Sequence, residues 1–190
     1  MKYSLEYTSS ITAADVISTA DLKLFLRVDH SEEDTLIEAL RLAAIQYIEN
    51  YCNLKLGSVS AVMYMDKFPV SWEIPTAPVT AVTSITYNAS AVDVVTLDTG
   101  NYFVDLKRKP ARISVINVPS VYDYVYGGVQ IYLTIGYEEA NVPEAILHAI
   151  RLLVGHYYEQ RQESISGTII TNIPSGIHSL LNPYRVISDR

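Results

Sequence analysis

The amino-acid sequence predicts an α+β protein: a helical bundle drawn from the N- and C-terminal thirds, with an antiparallel β domain (a small sandwich or barrel) inserted between them. Three observations carry this expectation. Apolar residues recur at spacings of three and four from Leu36 to Tyr51 and again from Ile146 to Tyr158, the period of a helix with one buried stripe. From Ser58 to Tyr137 the pattern shifts to runs rich in Val, Thr, Ile and Tyr, the residues that strands favour. Turn residues punctuate those runs at short, regular intervals, as in an antiparallel sheet. The expected division is a helical domain of residues 1–57 and 138–190 with residues 58–137 as the β insert.

In chain order, residues 1–17 read as an extended lead-in. Ser18-Thr19 offers a cap for a short helix, Ala20 to Val28, with Leu22, Phe25 and Leu26 on one face. Asp29-His30-Ser31 breaks it. The next helix opens on Ser31 and Asp34, spaced as in a capping box with Asp in place of the usual Glu, and Glu32, Glu33 and Asp34 suit the positive end of the helix dipole. Its apolar stripe is Leu36, Ile37, Leu40, Ala44, Tyr47, Ile48 and Tyr51, flanked by Glu38, Arg41 and Glu49; Asn53 and Gly57 close the region. Strands follow at Val59 to Met65, Trp72 to Pro75, Val79 to Tyr87, Val92 to Leu97, Tyr102 to Leu106, Arg112 to Val118 and Val129 to Tyr137. Asn88-Ala89-Ser90 and Asp98-Thr99-Gly100-Asn101 are the turns between neighbouring runs.

Pro143 opens the last long helix, where its missing N–H costs nothing. The stripe there is Ile146, Leu147, Ile150, Leu153, Val154, Tyr157 and Tyr158, and Gly155 inside it marks close packing against a neighbouring helix. Glu163 to Asn172 reads as a flexible polar loop. Ile177 to Leu181 makes a final helical turn before Asn182-Pro183-Tyr184-Arg185. No internal repeat or low-complexity tract occurs.

Composition narrows the function. The 190 residues are 49% hydrophobic and 18% charged, with 21 acidic against 14 basic side chains and a formal charge of −7. This is a folded chain rather than a disordered one. It is also a poor sequence-independent ligand for phosphate backbones, which need Lys and Arg to displace counterions, although an acidic wall lets DNA slide past without sticking. The single cysteine, Cys52, rules out an internal disulfide and reads as a small buried hydrophobe in a chain made in a reducing compartment. The N-terminus lacks the apolar run of a signal peptide. The least charged stretch, Ile113 to Tyr137, is broken by Pro119, Asp123, Gly127 and Gly128 and does not suit a membrane helix. A soluble protein with no membrane partner is expected.

No catalytic, metal or cofactor site is expected. His30, His148, His156 and His178 are dispersed, with no His-x-x-x-His pair. Glu144 and His148 stand four apart and read as an ordinary helix-surface pair. There is no Gly-x-Ser-x-Gly elbow, Walker loop or dinucleotide fingerprint. The one basic cluster, Lys107, Arg108, Lys109 and Arg112, reads mainly as a charged hairpin tip that keeps a β edge soluble, with contact to nucleic acid or an acidic partner as the functional alternative. Tyr122, Tyr124, Tyr126, Tyr132 and Tyr137 cluster late in the β region; they are equally an ordinary sheet face or an interface rich in amphipathic rings.

An ordered set of motifs suggests a family. Thr19-Ala20-Asp21-Leu22-Lys23-Leu24-Phe25-Leu26-Arg27-Val28-Asp29-His30, then Leu36-Ile37-Glu38-Ala39-Leu40 through Tyr47-Ile48-Glu49-Asn50-Tyr51, resembles the opening of head–tail connector (adaptor) proteins of tailed phages, prophages and gene transfer agents. Val142-Pro143-Glu144-Ala145-Ile146, Leu152 to Arg161, and Ile173-Pro174-Ser175-Gly176-Ile177 through Leu180-Leu181-Asn182-Pro183-Tyr184-Arg185 are similar to the same family. The order of helices, β insert, helix and Pro-Tyr-Arg tail covers nearly the whole chain.

The resemblance implies a non-enzymatic structural virion protein at the head–tail junction, made in the bacterial host cytoplasm. It implies a ring, commonly of twelve copies, docked beneath the portal protein, extending the DNA channel and receiving a downstream connector or tail-completion protein. DNA would pass through without sequence-specific binding. Ile177, Leu180, Leu181, Tyr184 and Arg185 would form a portal-docking arm after the flexible segment. Glu32, Glu33, Asp34 and Glu38 would face solvent, the channel or a neighbouring subunit. The alternatives are a non-catalytic regulatory, chaperone or assembly module outside the virion, and an enzyme with an unrecognised site in the β domain.

Overall fold

The computed structural model describes residues 3–10, 16–138, 141–160 and 175–187. Its residues gather into two compact units: residues 1–11, 57–137 and 186–190 form one, and residues 12–56 and 138–185 the other. The architecture is mixed α+β, with four α-helices and two antiparallel sheets among the described residues. The segment Glu163 to Asn172 lies outside those residues.

The second unit is helical. α1 (Thr19–Leu26) starts at Ser18, whose Oγ accepts from Asp21 N at 3.1 Å. It ends before the expected Val28 because Arg27 turns left-handed, φ 60°, and the Val28 N–H closes the end on Lys23 O at 3.0 Å. α2 spans Asp34–Cys52 and ends at a left-handed Asn53. The expected capping box at its start does not form: no side chain caps this helix, and Asp34 Oδ1 instead takes Lys23 Nζ at 2.6 Å. α3 (Glu144–Glu159) follows Pro143, whose carbonyl accepts from Ile146 and Leu147. α4 (Ser175–Leu181) runs into a 3₁₀ turn, Asn182–Tyr184.

α2 packs on α3 and α1, and α3 also meets α1 and α4. Leu22, Ile37, Ile48, Ile146, Ile150, Leu153 and Leu181 have no exposed surface; burying each large aliphatic side chain contributes about 1.5–3 kcal/mol. Gly155 performs the close packing expected of it, since a Cβ there would sit 3.3 Å from Phe25 Cε1. One residue of the expected polar flank is misplaced. Arg41 is only 6% exposed, and its Nη1 donates to Ile17 O at 3.2 Å and Thr19 Oγ1 at 2.9 Å. The cation therefore ties the segment entering α1 to the side of α2.

The first unit is built from β1 (Tyr3–Tyr7), β2 (Val59–Met65), β3 (Ser71–Glu73), β4 (Val79–Asn88), β5 (Val94–Thr96), β6 (Tyr102–Asp105), β7 (Arg112–Val115) and β8 (Val129–Ile135). One sheet has the order β1-β2-β8-β4-β5 and the other β3-β7-β6. The N-terminal lead-in thus contributes a strand, β1, with Leu5 opposite Met63. Alternation does the rest. Val59, Ala61, Met63 and Met65 of β2 and Val129, Ile131, Leu133 and Ile135 of β8 point inward, where they share one core with Trp72 and Ile113 of the smaller sheet. β4 keeps step with β8 only through two register shifts, between Val79 and Ala81 and between Val82 and Ser84.

The chain enters this unit at Gly57 and leaves past Gly136. Gly136 has φ 114°, and a Cβ on it would lie 1.8 Å from Gly57 O, so only glycine fits. Its N–H donates to Pro78 O at 2.7 Å.

Candidate functional site

Three surfaces bear the residues singled out above. The first is the β6–β7 hairpin. Tyr102 and Val104 lean inward while Phe103 and Asp105 face out, and β7 mirrors this with Ile113 and Val115 in and Arg112 and Ser114 out. The register sets Phe103 opposite Ser114 and Asp105 opposite Arg112, with Glu73 of β3 beyond. Phe103 is 69% exposed, and Ile116, continuing the outward alternation, is 52% exposed. The tip is held in shape by its base: Pro110 and Ala111 are buried, and Ala111 O accepts from Ile74 N at 2.9 Å. Arg108 and Arg112 each lie 3.6 Å from Glu73 Oε1. Lys109 Nζ stands over the Tyr137 ring, 5.7 Å from its centroid. Lys107 is exposed and makes no ion pair among the described residues. The cations are gathered as their sequence spacing suggests; their shared carboxylate, Glu73, comes from another strand.

The second surface is the start of α2. Glu32 and Glu38 are exposed, the latter 4.0 Å from Arg41. Glu33 and Asp34 make contacts within the helical unit as well. Both are half-buried: Glu33 accepts a hydrogen bond from the Tyr158 hydroxyl and Asp34 is engaged by Lys23. Facing helices have used these carboxylates internally. Glu144 likewise does not pair with His148 but takes Arg151 Nη1 at 2.6 Å, two turns along.

The third surface is the C-terminal segment. Ile177 and Leu181 are 1% and 0% exposed, so they belong to the helical core rather than to a free arm. Aromatic stacking explains the rest of its attachment. His178 lies on Tyr51 with centroids 5.0 Å apart and is hydrogen-bonded through Nε2 to the Tyr47 hydroxyl at 2.9 Å. The Tyr51 hydroxyl donates to Asn182 Oδ1 at 2.8 Å, and the Arg185 guanidinium covers Tyr51 at 4.8 Å. Leu180 and Tyr184 are half-buried and Arg185 is exposed. No pattern in the sequence links Tyr51 to His178.

The late tyrosines are not one sheet face. Only Tyr132 lies on a strand; Tyr122, Tyr124 and Tyr126 belong to the β7–β8 connection, where Tyr124 and Tyr126 are 85% and 96% exposed. Cys52 is fully buried, its Sγ 3.8 Å from Leu181 O, and burial pushes its thiol up to about 11 against a smaller opposing effect of Arg185. Such a thiol is a packing group, not a nucleophile. Among the described residues no three His, Cys, Asp or Glu side chains gather where they could hold one metal ion, and no helix is long and apolar enough to cross a membrane.

Residues 15–187 match the family model described as head completion protein. Among solved structures the fold is similar to a chain in the virion of a native gene transfer agent particle, with a TM-score of 0.79 and 22% identity over 98% of this chain and 97% of that one. It is also similar to chains in the neck of the empty particle computed with C6 symmetry, TM-score 0.77 and 22% identity, and in the neck of the native particle computed with C12 symmetry, TM-score 0.75 and 21% identity. Both again cover 98% of this chain and 97% of the other. No curated protein matches the sequence.

Proposed function

The chain belongs to the head completion protein family, and from that premise we propose that it is a structural head–tail connector. It sits at the head–tail junction of a virion, forms a ring beneath the portal protein, extends the DNA channel and receives a downstream connector or tail-completion protein. The observation that carries this is the family match over residues 15–187, joined to an end-to-end fold likeness to gene transfer agent neck chains. A ring of twelve follows if copies here obey the C12 symmetry of one of those necks. In this reading the helical unit works as a bundle, the β unit as a small sandwich inserted into it, and the protein does no catalysis. The excess of acid over base suits a conduit that does not hold DNA.

Portal docking in this reading uses the outward residues of the C-terminal segment, Leu180, Tyr184 and Arg185, because Ile177 and Leu181 are committed to the core. Point variants such as Arg185→Glu therefore test docking where removal of the whole segment would damage the fold. The decisive experiment is the mass of the purified protein by light scattering, alone and mixed with its cognate portal. A large discrete ring, free or portal-induced, is the expected result. A monomer that ignores the portal overturns the reading.

A further inference from the structure

The formal charge is unevenly divided. The β unit has 7 Lys and Arg against 8 Asp and Glu, net −1, while the helical unit has 7 against 13, net −6. Within the nearly neutral β unit four cations crowd one hairpin, with Phe103 and Ile116 exposed on the same outer face as Arg112. An exposed apolar pair beside a cluster of cations has the make-up of a protein interface. The helical unit carries the complement. On α1, Asp21 and the 81% exposed Leu24 stand three apart; on α2, Glu38 and the 48% exposed Leu42 stand four apart. Each helix so presents an acid and an exposed leucine on one face, with Glu32 exposed just ahead of α2.

We propose that the β6–β7 hairpin face of one copy docks on the α1–α2 face of the next copy, with Phe103 against an exposed leucine of that face, Leu24 or Leu42, and with Lys107 and Lys109 opposite Glu32 and Glu38. The inference rests on the connector reading, because a closed ring needs a head-to-tail contact made of two different surfaces on each copy. Complementarity of both charge and apolarity selects a second copy as the occupant. Nucleic acid fits less well: Glu73 already engages Arg108 and Arg112, and Phe103 with Ile116 offers nothing to a phosphate. Glu32 and Glu38 are thereby assigned to the subunit contact rather than to the channel wall.

The test is a charge swap in the full-length protein, assembled with its portal at low salt and followed by light scattering. Circular dichroism and Trp72 fluorescence check the fold of each variant. Lys107→Glu with Lys109→Glu, and separately Glu32→Lys with Glu38→Lys, should each raise the concentration needed for ring formation at least about tenfold. Combining all four in one chain should restore assembly to within about threefold of the wild type. Phe103→Ser, which alters no charge, should weaken assembly without being rescued by the swap. Assembly unaffected by the lysine changes overturns the proposal, as does a swap that fails to rescue. Unchanged ring mass with weakened, salt-sensitive DNA retention assigns the hairpin to DNA and also overturns it. A wild-type chain that never assembles with the portal refutes the connector reading itself, and the docking inference falls with it.

Discussion

Replacing Arg41 separates what a buried cation contributes from what its volume contributes. Its side chain makes two charge-assisted hydrogen bonds, to Ile17 O and Thr19 Oγ1, each worth about 1.5–3 kcal/mol. Against that stands desolvation: the guanidinium is 6% exposed, its Nε has no partner among the described residues, and its nearby carboxylate, Glu38, lies 4.0 Å away on the surface. A cation so weakly compensated loses most of what its bonds gain. Arg41→Met keeps the stem's volume and removes the charge, so its net cost should be about 1 kcal/mol. Arg41→Ala also opens a cavity and should cost about 3–4 kcal/mol. With a urea dependence of about 1.5–2 kcal/mol per molar, the midpoint should fall by about 2 M for alanine and by roughly 0.5 M for methionine. The assay is urea unfolding followed at 222 nm, where the helices dominate, with Trp72 fluorescence reporting the β unit beside it. If methionine costs as much as alanine, the hydrogen bonds outweigh desolvation and the reasoning is wrong.

Two further predictions concern glycine and cysteine. Gly136→Ala should prevent stable folding of the β unit, because φ 114° and a Cβ 1.8 Å from Gly57 O leave no room without displacing backbone; Gly176→Ala in α4, where a Cβ meets nothing within 4 Å, should raise stability by up to about 1 kcal/mol, and thermal melts of both read the contrast. Cys52 should react with an alkylating reagent at pH 8 only as fast as the helical unit opens. Its thiol is raised from 9.0 to about 11 by burial, so the stability it contributes is complete below about pH 9 and is lost as pH climbs towards 11. Burial raises the Tyr47 and Tyr157 hydroxyls in the same direction. A flat stability profile from pH 8 to 11 would refute this.

The long helices and most strands were legible because their periods are local: α2, α3, β2 and β8 follow directly from spacings within each segment. Features set by partners distant in sequence were not. Ser31 and Asp34 have the spacing of a capping box, yet α2 starts at Asp34 itself, whose carboxylate meets Lys23, eleven residues earlier. Arg41 reads as surface until Ile17 and Thr19, more than twenty residues away, take its protons. Ile177 and Leu181 look like an arm because nothing nearby shows the helical core that receives them. β1 hides in an unpatterned lead-in whose pairing with β2 spans more than fifty residues. The candidate site behaved alike: the four hairpin cations are adjacent in sequence and visible there, whereas Glu73, Phe103 and Ile116 join them only through sheet register.

The glycine contact between Gly57 and Gly136 has a consequence for how such a chain can change over generations. Val59 pairs with Ile135, so the excursion between them starts and finishes on neighbouring strands, with its two ends one strand spacing apart. A segment with touching ends can be lengthened, shortened or exchanged without pulling on whatever carries it. Apart from β1 and Val186, which belong to the same unit, residues 58–135 leave and return at nearly one point. Selection can therefore remodel the surface this excursion displays, and with it the choice of neighbours, with little displacement of the two ends between which it runs.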